Sequence, residues 1–104
     1  MEKWVDVCTL DEIPLRGARR VKIFGEEVAI FRTGKDAVFA LDNRCPHKGG
    51  PLSEGIVHDD GVTCPLHGLI MHLPTGAALG GDAGCVKTYA VRVDDRQVSL
   101  RIGG

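Results

Sequence analysis

Cysteine and histidine occur together twice in this chain, as Cys45-Pro46-His47 and as Cys64-Pro65-Leu66-His67, with sixteen residues between the two segments. Thiolate sulfur and imidazole nitrogen are both metal donors. Two of each form the ligand set of a [2Fe–2S] cluster in which one iron takes both sulfurs and the other takes two nitrogens. Each segment supplies one donor of each kind, so two loops could grip a cluster from opposite sides. The same four residues would also complete a tetrahedral Cys₂His₂ zinc shell. Zinc fingers, however, place two Cys together and then two His together, often running into a helix. Here each pair is mixed, and the residues after His67 do not read as a helix. A disulfide between Cys45 and Cys64 would leave the interleaved histidines without a purpose. The order of donors favours the cluster, with zinc and uncoordinated core residues as the alternatives.

The elements that must hold these segments read as strands almost throughout. Val21–Phe24 and Val28–Arg32 are β-rich runs on either side of Gly25-Glu26-Glu27, which predicts a hairpin. Ala37–Leu41 is the next strand, and it feeds through Asp42-Asn43 into Cys45. Ile56-Val57, the Asp59-Asp60-Gly61 turn and Val62-Thr63 form a hairpin that ends on Cys64. Leu69–Leu73 follows, then a Pro74-Thr75-Gly76 turn and a small-residue loop from Ala77 to Gly84. Tyr89–Val93 and Gln97–Ile102 alternate around Asp94-Asp95-Arg96 as a last hairpin. Leu41 and Val62, each just ahead of a cysteine, are expected to anchor the loops in the core. Gly49, Gly50, Gly55 and Gly68 let the backbone turn closely there. Many short strands must hide edges as well as apolar faces, so the expected class is all-β, an antiparallel sandwich or barrel.

Composition suits one compact domain: 104 residues, 43% of them apolar, can form a single core of modest size. A formal charge of −1 and a pI near 6.4 argue against nucleic-acid binding, which needs a basic surface. The basic run Arg16–Lys22 reads as a solvated turn and strand edge. No apolar stretch approaches a membrane span, Met1-Glu2-Lys3-Trp4 does not open a signal peptide, and a cytoplasmic location without membrane attachment is expected. Cys8 and Cys85 are expected to be small buried residues in a reducing compartment. His58 and His72 are expected on the surface, on a turn and a strand, while Asp59-Asp60 and Asp94-Asp95 are turn formers. No dinucleotide fingerprint, phosphate loop or mononuclear iron site is present, so no catalytic residue is assigned.

The run Cys45-Pro46-His47-Lys48-Gly49-Gly50-Pro51-Leu52-Ser53-Glu54-Gly55 resembles the first cluster loop of soluble Rieske ferredoxins. The Thr75-Gly76 turn and the late Lys87-Thr88-Tyr89 fit the same pattern, and the likeness runs from Trp4-Val5-Asp6-Val7 to the end. The chain is identified as a member of the Rieske-type iron–sulfur proteins. It most resembles the small subunit of assimilatory NAD(P)H-dependent nitrite reductase, on Arg44 to Gly55 and on Gly84–Tyr89 leading into Val91-Arg92-Val93. The resemblance implies a single domain over residues 1–104, with a cluster-binding subdomain at about 42–76. It implies a [2Fe–2S] cluster held by Cys45, His47, Cys64 and His67.

That likeness also implies one-electron transfer beside a large nitrite reductase catalytic subunit, which contains flavin, iron–sulfur and sirohaem groups and reduces nitrite to ammonium. The alternative within the superfamily is a free Rieske ferredoxin between a flavin reductase and a ring-hydroxylating dioxygenase. An alternative of another class is a zinc-stabilised, non-redox binding module. One departure stands out: Rieske ferredoxins usually carry aromatic residues after the second motif, whereas this chain has Leu69-Ile70-Met71-His72. An aliphatic and thioether cover is therefore expected near the cluster. High-potential relatives use hydroxyl groups there, and Gly68-Leu69-Ile70 offers none, which predicts a potential at the low end of the range of about −150 to +300 mV.

Overall fold

The computed structural model describes residues 3–44, 51–65, 70–79 and 84–102. Within them the chain is all-β, as eleven strands in three antiparallel sheets with two short 3₁₀ turns, Leu10–Glu12 and Leu52–Glu54. The first sheet joins β1 (Lys3–Thr9), β11 (Gln97–Ile102) and β10 (Val91–Asp94). The second runs in the order β2 (Gly17–Ile23), β3 (Glu26–Arg32), β4 (Val38–Asp42), β9 (Thr88–Tyr89). The third is β5 (Ile56–His58), β6 (Gly61–Thr63), β7 (Ile70–His72) and β8 (Ala78–Leu79).

The second sheet is the middle layer, and the sequence of β3 explains why. Side chains alternate between the faces of a strand, so a strand covered on both sides reads as a continuous apolar run. Val28-Ala29-Ile30-Phe31 is such a run, and all four residues are fully buried. Val28 and Ile30, with Ala40 and Tyr89, pack against Cys8, Val98, Leu100 and Ile102 of the first sheet. Ala29 and Phe31, with Leu41, pack against Val57, Val62 and Met71 of the third. Two cores therefore flank one sheet, and truncating a fully buried side chain such as Phe31 to Ala costs about 3–5 kcal/mol.

Turns fix the registers. Phe24 (φ 49°) and Gly25 (φ 83°) both lie in the left-handed region and join Ile23 to its partner Glu26, a type I′ hairpin. Phe24 thus belongs to the turn, not to the strand expected from its β propensity. Glycine suits such a position, whereas a Phe there carries strain. Asp95 (φ 51°) and Arg96 (φ 68°) make the same two-residue turn between Asp94 and Gln97. Arg16–Lys22 lies mostly on β2, an edge strand, which agrees with its reading as a solvated edge.

Two further differences from the sequence reading concern pairing. Ala78-Leu79, within the expected small-residue loop, pairs with Ile70-Met71 as an extra strand, and residues 80–83 lie outside the described residues. Tyr89 pairs with Ala40 of β4, in the middle sheet, while Val91–Asp94 alone forms the hairpin with β11. Ala90 lies between the two, its carbonyl accepting from the Arg101 N–H of β11 at 3.0 Å.

Candidate functional site

The third sheet and the end of β4 hold the ends of the two Cys/His segments. Cys45, His47 and Gly49-Gly50 fall within residues 45–50, and His67 and Gly68 within 66–69; both stretches lie outside the described residues. Cys64 is described: it follows β6 directly and is buried at 1% exposure. It packs in one core with Leu41, Leu52, Val62 and Met71. Leu41 precedes the first segment and Leu52 follows it, so the chain on both sides of that segment and the start of the second are rooted in a single core. Leu41 and Val62 anchor the loops as expected. Met71, of the expected aliphatic and thioether cover, is fully buried in the core that contains Cys64.

Asn43 closes the first segment. Its Oδ1 accepts a 2.7 Å hydrogen bond from the Ser53 backbone N–H, and its Nδ2 donates to Glu27 Oε2 at 2.7 Å. Its own backbone N–H donates to the Glu27 carbonyl at 3.0 Å. One buried amide thus ties the residue two before Cys45 to the residue three after Gly50 and to the neighbouring strand. A short polar side chain at the end of a strand is the usual device for satisfying loop backbone, and that was the available signal for Asn43 in the sequence. Gly55 supports the other side: a Cβ there would fall on the carbonyl oxygen of Thr63 and crowd Val62. Close packing of the turn after Leu52 against β6 needs hydrogen at that position.

A second network braces the same end of β4. The Tyr89 hydroxyl lies 2.9 Å from Glu26 Oε1 and 2.9 Å from Asp42 Oδ1, while Lys87 Nζ reaches Glu26 Oε1 at 3.1 Å. Burial, and hydrogen bonds to the two carboxylates, push the Tyr89 phenol well above the ordinary tyrosine range. The bond from Lys87 and then that from Tyr89 hold the Glu26 carboxyl below its usual value. Long sequence separation hid this cluster from the sequence reading.

The remaining candidates are accounted for locally. His58 Nε2 is 2.7 Å from Thr63 Oγ1; His72 contacts Thr75 Oγ1 at 3.0 Å and Asp60 Oδ2 at 3.2 Å. Both lie on the outer side of the third sheet, as expected for surface residues. Cys8 is buried, and burial raises its thiol pKa. Cys85 corrects the expectation of burial: it is exposed, at the bridge opposite Ala77, because it borders the small-residue stretch and not a core strand. Among the described residues no group of three or more His, Cys, Asp or Glu is gathered to hold a metal. A buried thiol at Cys64 with no hydrogen-bond partner among the described residues, rooted in the same core as the residues flanking the first segment, fits a cysteine–histidine cluster shell in its donor chemistry.

A layered all-β scaffold with a Cys/His segment entering from each of two adjoining sheets is the architecture of an iron–sulfur electron carrier. The Rieske-like [2Fe–2S] domain family matches residues 3–101. The 3-phenylpropionate/cinnamic acid dioxygenase ferredoxin subunit of Photorhabdus laumondii is 39% identical over 98 residues, spanning 92% of this chain and 91% of that protein. A crystal structure assigned as an NADPH nitrite reductase small subunit superposes with TM-score 0.85 at 35% identity, over 94% of this chain and 97% of the other. The Escherichia coli protein NirD superposes with TM-score 0.87 at 33% identity over 100% of both chains. This chain belongs to the Rieske-like [2Fe–2S] domain family. Its cofactor is a [2Fe–2S] cluster, its activity is electron transfer, and the zinc-module alternative falls away.

Proposed function

We propose that Cys45, His47, Cys64 and His67 are the four cluster ligands of a single domain, and that the chain is the small electron-transfer subunit of an NAD(P)H-dependent nitrite reductase. The observation that carries the ligand assignment is the shared core: Leu41, Leu52 and Cys64 pack together, so the ends of both Cys/His segments are fixed relative to one another. When bound, the cluster takes up and releases one electron at a time. The protein's part is to hold the donors still. The Asn43 clamp and the Gly55 contact resist loop rearrangement, which keeps the cost of changing the charge state low. Among described residues no helix is long and apolar enough to cross a membrane, and a cytoplasmic site of action accords with this reading.

The full-length superpositions on nitrite reductase small subunits support the choice of partner. The second reading, a ferredoxin serving a ring-hydroxylating dioxygenase through a flavin reductase, is favoured by sequence relatives that are ferredoxin components of dioxygenase systems. Reconstitution separates the two. Adding the chain to a nitrite reductase large subunit should raise NAD(P)H-dependent ammonium formation, and Cys64→Ser and His67→Ala should abolish the gain. Stimulation of a dioxygenase and reductase pair, with none of nitrite reduction, would replace the first reading by the second.

A further inference from the structure

The strand register of the third sheet sets out a mostly apolar row on its outer face. Ile56 pairs with Thr63, Thr63 with Ile70, and Ile70 with Leu79. Cross-strand partners share a face. The neighbouring row, Val57, Val62, Met71 and Ala78, points into the core, so the Ile56 row points outward. Ile56 is 71% exposed and Leu79 51% exposed. His58 and His72 follow on the same side, and no carboxylate or ammonium stands in the row itself. The row lies at the cluster end of the sheet: Thr63 is the residue before Cys64, and Ile70 is the first residue after 66–69.

Charge within this segment of the chain is one-sided, while Arg16 and Lys35 line a cleft with Asp59 and Asp60. None of the 13 Lys and Arg residues of the chain lies between Gly49 and Val86, yet that stretch holds Glu54, Asp59, Asp60 and Asp82. Three of these, Glu54, Asp59 and Asp60, are described and exposed on the turns bounding the third sheet. An exposed apolar centre on a segment whose own charges are all carboxylates marks a protein contact surface. A second copy of the chain would set two acidic segments together, whereas a lysine- or arginine-ringed apolar patch matches both features.

We propose that the outer face of the β5–β8 sheet, centred on Ile56, Ile70 and Leu79, docks a redox partner protein that presents an apolar patch ringed by basic residues. This rests on the electron-transfer activity and adds to it the surface through which contact is made. Docking here places the partner beside the strand ends that enter both sides of the 66–69 segment. The carboxylates of the segment steer the approach, and the apolar row sets how long the complex lasts.

Ferric cytochrome c, a basic haem protein with a lysine-ringed apolar edge, is the probe. Calorimetric titration of the oxidised, cluster-loaded protein at low ionic strength should show binding that weakens with salt. The double variant Ile56→Thr, Leu79→Thr keeps β propensity at two exposed positions and should weaken binding about tenfold. Val93→Thr, an exposed residue of the first sheet, should leave it unchanged. Equal affinity of the double variant and the parent would overturn the proposal, as would absence of binding. So would sedimentation showing that the parent self-associates through this face and the double variant does not. If docking fails while the cluster still reduces ferricyanide, electron transfer stands and only the surface is wrong. A protein without a reducible cluster would count against electron transfer itself, whatever the calorimetry gives.

Discussion

Asn43→Ala tests the idea that one amide holds the first Cys/His segment in place. The substitution removes the acceptor for the Ser53 N–H and the donor to Glu27, two bonds of 2.7 Å each. A neutral bond of this kind contributes about 0.5–1.5 kcal/mol, and one to a charged group about 1.5–3 kcal/mol when it is shielded from water. Glu27 is exposed and can rehydrate, so the second term falls to the low end and the total is about 2 kcal/mol. For a domain of this size that lowers Tm by roughly 8–16 °C. Urea unfolding followed by far-UV circular dichroism, with the rate of cluster bleaching in the visible, reads both consequences. Asn43→Asp sharpens the test, since it keeps the acceptor but sets a carboxylate against Glu27. Like charge raises the folded-state pKa of the new carboxyl above its unfolded value. Its penalty is therefore largest at neutral pH and shrinks as pH falls through the raised value, when the protonated group donates to Glu27. A loss below about 0.5 kcal/mol for Asn43→Ala, with bleaching unchanged, would refute the clamp.

Other expectations follow from the same geometry. Tyr89 is the only tyrosine, so tyrosinate absorbance reports one phenol. Its raised pKa means that the native state keeps the proton while the unfolded chain loses it near pH ~10. Stability should fall as pH rises past that value, Tyr89→Phe should lose less stability over the same interval, and ordinary titration of the native phenol near its usual pKa would contradict this. At neutral pH Tyr89→Phe should cost about 1–2 kcal/mol by chemical denaturation, because Asp42 loses a partly buried donor. Leu52→Ala should cost about 2–5 kcal/mol and speed cluster loss, since Leu52 is fully buried in the core that contains Cys64. Cys85→Ser should leave iron content and melting temperature unchanged, whereas Cys64→Ser should yield a protein without the cluster.

The proposed donor set rests on Cys and His at spacings that have few other uses, and the β3 run was legible because two buried faces demand four apolar residues in succession. The hairpin turn at Asp59-Asp60 and the anchoring roles of Leu41 and Val62 followed from the same local pattern. Phe24 was misplaced because its β propensity says nothing of the tight turn that the register of β2 and β3 imposes. The β8 pairing was missed since Ala78-Leu79 has no strand signature of its own and forms only because β7 offers an open edge. Asn43 with Ser53, and Tyr89 with Glu26 and Asp42, were invisible for a different reason: each joins residues that only the folded sheets bring together. The exposure of Cys85 likewise depends on the neighbours that a local reading cannot supply.

Low-temperature EPR of the purified chain before and after dithionite decides whether the cluster has mixed cysteine and histidine ligation. The oxidised protein should be EPR-silent with ~2 irons per chain, and on reduction should give a rhombic signal with average g below that of all-cysteine [2Fe–2S] clusters. His67→Cys should move that signal toward the all-cysteine type. A reduced spectrum already of the all-cysteine type, or a protein holding zinc in place of iron, would contradict mixed ligation.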